Sequence, residues 1–288
     1  MEIFSKEYDP FLCLPMVFCP EMVGRTDVKQ GILCSLVNPL DTNVGKSRRR
    51  RERIHVLLYG TVGTGKTIPL EYLSQSWGAV YISADPTAAT LKGDARKTNK
   101  GVQVFRAYSG GIVCIDDIEL MKDVDAIRDV MESGKYTLDK GGVHEEYEAQ
   151  CRVIAATNDI ESISPAIMSR FDLIYGFDTP DVSESISIAK NLLEIDELGH
   201  DIELNYEFVE SYIKIASQFV PQKENKDEIM DIMSQTFNKV GGRTGRWTAS
   251  VYRIARAIAK MRMKPMGPME VTKAIGMKCE SDTVIGLL

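Results

Sequence analysis

The apolar positions along the chain fall into two rhythms. From His55 to Phe177 they arrive as short continuous runs of the kind that form strands buried on both faces: HVLLYG (55–60), AVYIS (79–83), GIVCI (111–115), QCRVIAATN (150–158) and FDLIYGF (171–177). Between these runs the spacing turns helical, in TIPLEYLSQSW (67–77), KDVDAIRDVME (122–132) and the short SPAIMSR (164–170). Pro69 is compatible only with the first turn of its helix. An earlier segment, DVKQGILCSLV (27–37), also carries helical spacing. KYTLDKGGVHEEYEA (135–149) reads as two short strands joined through DKGG, a β-hairpin. Five β segments alternating with helices predict an α/β fold, a three-layer, mostly parallel sheet.

At DTPDVSES (178–185) the character changes, and behind it only helical patterns follow, over 183–197, 205–219, 224–238, 246–263 and 268–276. A break at a Pro/Asp/Ser turn with all-helical sequence beyond it predicts two domains, 1–179 and 180–288.

Composition narrows the function classes. A net charge of −6 argues against a protein that coats nucleic acid with its whole surface. The basic run KSRRRRER, Lys46 to Arg53, reads as a solvated loop before a strand. No stretch of about 18 apolar residues is present to span a membrane, and the N-terminus lacks the pattern of a signal peptide. The expectation is a cytoplasmic, nucleoid-associated protein with no membrane partner. Six cysteines, at 13, 19, 34, 114, 151 and 279, form no C-x-x-C pair and match no zinc or disulfide framework. Cys114 and Cys151 sit in strand-like runs and read as reduced core residues.

The candidate chemistry starts at GTVGTGKT, which fits G-x-x-x-x-G-K-[ST] between a strand and a helix. Gly60, Thr61, Val62, Gly63, Thr64 and Gly65 would curl backbone N–H groups around phosphate oxygens at the positive end of a helix. Lys66 would reach the β- and γ-phosphates, and the Thr67 hydroxyl would ligate Mg²⁺. The cofactors implied are ATP and Mg²⁺. GIVCI then ends in Asp116 and Asp117, two adjacent carboxylates that are costly to hold together unless a cation or a reactive water needs them. Asp116 is the candidate metal ligand beside Thr67; Asp117 is the candidate for orienting or deprotonating a lytic water. Asn158 ends RVIAATN. An amide there either closes a turn or holds that water.

These motifs occur in order with PEMVGRTDVKQGIL, GGIVCIDDIELMKDVDAIRDVMESGKYTLDKGGV, CRVIAATND and AIMSRFDLIYGF. Together they resemble the AAA+ motor of the minichromosome-maintenance (MCM) replicative helicases, from about Pro20 to Gly276. The resemblance implies a P-loop AAA+ core with a pre-sensor-1-type β-hairpin and a C-terminal all-helical lid domain. It implies a water-holding role for Asn158. Arg170 in SRFD matches the arginine finger that reaches a neighbouring subunit's nucleotide, the alternative being an ion pair with Asp172. Met22 and Val23 match the residues that pack against adenine. Lys140, at the hairpin tip, matches the lysine that MCM rings point at the DNA backbone. Arg246 matches the sensor-2 arginine of the lid. Arg246, Arg253, Arg256 and Lys260 lie within roughly an 80° arc of one helix, a stripe of the kind that ordinarily faces solvent; Arg253 carries no assigned role.

The chain also departs from the family pattern. Asp117 stands where Glu is usual, one methylene shorter. The segment between Leu91 and Gly111 is shorter by about half a dozen residues, and Gln150 stands where many members have arginine. About 20 residues before the motor cannot encode the family's N-terminal domain, and no C-terminal winged helix is expected. The expected partners are therefore further copies of the chain in a hexameric ring, DNA, and a separate replication protein supplying the missing domain. Two readings follow: an ATP-driven motor that translocates on or unwinds DNA, and a slow ATP-dependent switch or loader without helicase activity of its own. A remodeller of protein substrates fits the hairpin and SRFD less well.

Overall fold

The computed structural model describes residues 2–44, 48–83, 104–107, 109–121, 125–140, 143–197, 199–241, 243–284 and 286. The chain divides into two compact units. An α/β unit comprises Pro39–Phe171 and Gly176–Thr179; a helical unit comprises Met1–Asn38, Asp172–Tyr175 and Pro180–Leu288.

In the α/β unit, β1 (Thr42–Val44) and β2 (Arg48–Arg50) form a small antiparallel pair. The main sheet takes β3 (Val56–Gly60), β4 (Val80–Ile82), β5 (Ile112–Ile115), β8 (Arg152–Thr157) and β9 (Leu173–Phe177), in the order β4-β5-β8-β3-β9. The β4/β5, β5/β8 and β3/β8 pairs are parallel, as the continuous apolar runs predict. Every residue of β5 and of β8 is buried. β6 (Lys135–Lys140) and β7 (Val143–Glu148) form the expected hairpin, with Lys140 opposite Val143. The hairpin's Gly141 and Gly142, the stretch ADPTAATLKG and most of the shortened segment after Leu91 lie outside the described residues.

The basic run is not the solvated loop its composition suggests. Arg48 to Arg50 form β2, and Arg53 is fully buried. Arg53 Nε lies 3.0 Å from Asp41 Oδ1, and Arg53 Nη1 donates to the carbonyls of Val130 (2.9 Å) and Cys151 (3.0 Å). A guanidinium tolerates burial when a carboxylate and carbonyls take up its N–H groups. Beside it, Gln150 accepts a hydrogen bond from the Asp41 N–H at 2.9 Å, so this departure from the family pattern does structural service. The fully buried His55 accepts from the Val153 N–H at Nδ1 (3.0 Å), and its Nε2 faces the Met131 carbonyl at 3.1 Å. Cys114 and Cys151 are buried free thiols, as read from the sequence.

The helical unit contains the five expected C-terminal helices, Val182–Glu197, Gly199–Gln218, Lys226–Val240, Gly245–Arg262 and Pro268–Val284. It also takes in the N-terminal helices Glu2–Glu7, Pro10–Val17 and Thr26–Leu36. The reason is apolar: Phe11, Leu14, Val28, Ile32 and Leu33 are fully buried, and the helices carrying them pack on Gly199–Gln218 and Gly245–Arg262. Gly31 is required there, because a Cβ would stand 2.3 Å from the Tyr175 hydroxyl. Among the described residues no helix is long and apolar enough to cross a membrane.

The basic stripe on Gly245–Arg262 is a second correction: Arg253, Arg256 and Lys260 are buried, and only Arg246 of the four is exposed. Their long stems are buried; the heads of Arg253 and Lys260 find polar groups, and that of Arg256 lies over the Tyr252 ring. Lys260 Nζ donates to the Ser217 carbonyl at 3.3 Å, and Arg253 Nε donates to Asp172 at 3.1 Å.

Candidate nucleotide site in the α/β unit

Sheet order brings the chemistry together. β5, β8 and β3 are neighbours, so the residues following their carboxyl ends line one edge of the sheet, where parallel α/β sheets bind ligands. Those residues are Asp116 and Asp117 after β5, Asn158 after β8, and the P-loop after β3.

The P-loop has the backbone its glycines predict. Gly63 and Gly65 adopt φ of +83° and +88°, a region that side chains resist. Gly60 has a different constraint: a Cβ there would stand 2.2 Å from the Phe177 carbonyl oxygen. Thr61, Val62 and Gly63 are exposed, and the helix Thr67–Ser76 begins directly behind them. Lys66 is buried and folded over the loop, its Nζ donating to the carbonyls of Gly60 (2.8 Å) and Thr61 (2.6 Å). Burial pushes the Lys66 ammonium below its ordinary value, and the carboxylates of Asp116, Asp117 and Glu119 pull the other way. An anion delivered to this loop would meet a helix N-terminus and a desolvated ammonium.

Asp116 is held by three donors. The Thr67 hydroxyl (3.3 Å) and the Tyr81 hydroxyl (2.6 Å) approach Oδ2, and the Asp117 N–H (3.1 Å) approaches Oδ1. Burial, then the bond to Asp116, raises the Tyr81 phenol, so it stays a donor. A hydroxyl and a carboxylate brought together are hard oxygen ligands of the kind Mg²⁺ takes alongside phosphate oxygens. Thr67 and Asp116 therefore fit the metal assigned to them, and Tyr81 orients the carboxylate from behind.

Asp117 and Asn158 meet directly: Asn158 Nδ2 donates to Asp117 Oδ1 at 2.6 Å. The Asn158 N–H donates to Glu119 Oε1 at 2.9 Å. Asp117 has φ 48° and ψ 52°, the left-handed region, uncommon for a non-glycine residue though Asp tolerates it better than most. Burial foremost, then the carboxylates of Asp116 and Glu119, pushes the Asp117 carboxyl above the usual range, against the pull of Lys66 and Asn158.

The remaining sequence candidates lie elsewhere. Arg170 is in the α/β unit, with Nη1 donating to the Ala166 carbonyl at 2.7 Å and Nε 3.1 Å from Glu132 Oε2. It does not pair with Asp172, which takes Arg253 and Ser250 instead. Lys140 ends β6. Met22 (buried), Val23 (half-buried) and Arg246 (exposed, in the first turn of Gly245–Arg262) belong to the helical unit. Two residues at the edge escaped the sequence reading. Tyr81 pairs in register with Cys114, two residues before Asp116 and hence on the same face; that signal lies in strand pairing. Glu119 was visible as the third acid of DDIE, but its contact with Asn158 spans 39 residues.

Comparison with known proteins gives the same answer as the geometry. The family model of the MCM P-loop domain matches residues 1–196. DNA replication licensing factor Mcm3 of Drosophila melanogaster is 30% identical over 197 residues, 59% of this chain and 24% of that protein. DNA replication licensing factor mcm-5 of Caenorhabditis elegans is 31% identical over 216 residues, 66% of this chain and 28% of that protein. The chain thus spans about a quarter of the length of the curated relatives it matches. A match over more than half of the chain, with its motifs meeting at one sheet edge, settles the family: the chain belongs to the MCM P-loop domain family.

Proposed function

We propose that this chain binds ATP with Mg²⁺ at the P-loop, hydrolyses it, and couples the cycle to DNA binding, translocation or unwinding in DNA replication. The observation that carries the reading is the convergence at one sheet edge of buried Lys66, the Thr67–Asp116 contact at 3.3 Å and the Asn158–Asp117 contact at 2.6 Å. In this reading the P-loop N–H groups and Lys66 hold the phosphates, while Thr67 and Asp116 hold the metal. Mg²⁺ bound there would neutralise charge developing on the transferring phosphoryl group. Asp117 and Asn158 hold the attacking water, and Asp117 draws off its proton.

The rest of the motor follows as part of the same proposal. Further copies of the chain form a hexameric ring; Arg170 serves the neighbour's nucleotide, and Arg246 acts from the lid. Met22 and Val23 pack the adenine, and Lys140 meets the DNA backbone. The names of the relatives, DNA replication licensing factors, support placing the activity in replication.

A second reading, a slow ATP-dependent switch or loader, is favoured by one observation. The Asp117 carboxylate, a methylene shorter than Glu, is already engaged by Asn158. Steady-state ATP turnover against protein concentration, with and without single-stranded DNA, separates the two. The motor requires turnover that rises with concentration and with DNA, and salt-sensitive DNA binding that Lys140→Ala weakens. Tight ATP binding with negligible turnover that Asp117→Glu restores would replace the motor by the switch.

A further inference from the structure

Glu119 was given no role in the nucleotide site by the sequence, yet the structure ties it to the residue on which the hydrolysis reading turns. The chain leaves β5 through Asp117 in the left-handed region and at once makes the tight turn Ile118–Leu120, closed by the Leu120 N–H on the Asp117 carbonyl at 2.9 Å. That reversal carries Glu119 to the end of β8, where its Oε1 accepts the Asn158 N–H at 2.9 Å. The amide of the same Asn158 donates to Asp117 Oδ1 at 2.6 Å. Asn158 is thus held at both its backbone and its side chain by two acids of one turn. Asn158 itself is exposed, so these two bonds are what fix its direction.

The carboxylate is an odd choice for a purely structural bond. Its other oxygen, Oε2, is buried and has no hydrogen-bond partner, which a polar atom tolerates only at a cost. It also adds negative charge beside Asp116 and Asp117. Such costs collect where function requires a geometry that stability alone would not select.

We propose that Glu119 is a positioning residue for ATP hydrolysis, acting through Asn158 to hold the amide where it and the short Asp117 carboxylate share the lytic water. This rests on the ATPase reading above. In the reaction, the water oxygen bonds to the γ-phosphorus, the bond to the β,γ-bridging oxygen breaks, and ADP leaves. The water proton passes to Asp117 or to a phosphate oxygen; Glu119 takes no part in these bond changes. Its contribution is geometric. A clamp on Asn158 offsets the reach that Asp117 lacks, in a step where about 1 Å of misplacement costs on the order of 100-fold.

The test is ATP turnover over a range of ATP concentrations together with binding of a fluorescent ATP analogue, for wild type, Glu119→Ala, Glu119→Gln, Asn158→Ala and the Glu119→Ala/Asn158→Ala double variant. Glu119→Ala is expected to lower kcat about 10- to 100-fold, with KM and analogue affinity within about threefold. Glu119→Gln keeps an acceptor oxygen at the same reach and is expected to recover most of kcat. The double variant is expected to fall little below Asn158→Ala, as residues acting as a unit do. Wild-type turnover in Glu119→Ala overturns the proposal. So does loss of analogue binding along with kcat, which marks a structural role, or a Glu119→Gln as slow as Glu119→Ala, which marks a role for the charge. A wild type that binds the analogue without turning over ATP removes the ATPase reading itself, and is distinguished from the other failures by that control.

Discussion

Glu132 Oε2 stands 3.1 Å from Nε of Arg170, without the alignment of a hydrogen bond. The arginine is further held by its Nη1 on the Ala166 carbonyl at 2.7 Å, and its own carbonyl accepts from Arg51 Nη2 at 3.0 Å. Within a single chain the candidate finger is therefore docked on its own α/β unit. Glu132 lies in the last turn of the helix Asp125–Ser133, three residues before the β6–β7 hairpin begins.

If Arg170 serves a neighbour's nucleotide, it must leave Glu132 to do so. With Glu132 half exposed, the pair is worth about 0.2–1 kcal/mol. Glu132→Gln is thus expected to lower the protein concentration for half-maximal ATP turnover by about 1.5- to 5-fold. Arg170→Ala is expected to retain ATP binding and to lose on the order of 1,000-fold in turnover at saturating protein. A concentration series of turnover for the three proteins reads both effects. Unchanged turnover in Arg170→Ala would remove the finger.

Asp117 sets stability against function. Its carboxyl is raised by burial and by the neighbouring Asp116 and Glu119, so the ionised form is disfavoured in the folded chain relative to the unfolded one. The sign follows: above the folded value the charge destabilises the fold, and as pH falls through that value protonation removes the penalty. Asp117→Asn, which keeps an acceptor for Asn158, is expected to raise Tm by about 1–3 °C at pH 7. That gain should shrink toward zero in melts at acidic pH. The same substitution should lower ATP turnover by about 100-fold or more.

How much of this was legible in the sequence depends on distance along the chain. The P-loop was legible because strand, glycines, lysine and helix are contiguous, and the strand-end acids and Asn158 because buried parallel strands announce themselves as apolar runs. The burial of Arg53 and Arg253 was not. Each is excused from solvent by a carboxylate that no local pattern reveals: Asp41, 12 residues from Arg53, and Asp172, 81 residues from Arg253. A charge run or a basic stripe reads as solvated because the sequence shows the cost of burying it and hides the partner. The grouping of the N-terminal helices with the C-terminal ones was hidden likewise, since Phe11 and Leu14 look apolar in any context and only packing says against what.

The Asp172 cluster gives a stability test. Asp172 Oδ1 accepts from the Ser250 hydroxyl at 2.6 Å and from Arg253 Nε at 3.1 Å, with Arg253 Nη2 also paired to it, all buried in the helical unit. Removing one partner strands the other charge. Arg253→Ala and Asp172→Ala are each expected to lose about 3–5 kcal/mol, whereas replacing both by apolar residues of similar volume should cost far less. Equilibrium urea unfolding of the singles and the paired replacement measures this. Additive losses would show that the two residues do not act as a pair.

The hairpin that carries Lys140 is tied at its base by exposed charges, and these fix its pH response. Arg49 Nη1 lies 2.6 Å from Glu148 Oε2, and Lys135 Nζ lies 2.6 Å from Glu146 Oε1. The bond from Arg49 holds the Glu148 carboxyl below its ordinary value. A depressed carboxyl contributes stability that is present above the unfolded value, about 4.3, and lost as pH falls through the folded one. With side chains 34% and 49% exposed, the Arg49–Glu148 pair contributes under about 1 kcal/mol, and salt screens it. The carboxyl resonance of Glu148, followed by NMR between pH 2 and 7, is expected to titrate below the ordinary range in wild type. In Arg49→Ala, or in high salt, its midpoint should move up toward that range. A midpoint indifferent to both changes would mean that the pair is not formed in solution, leaving the stacked rings of Tyr136 and Tyr147, 5.4 Å apart, to hold the base of the hairpin.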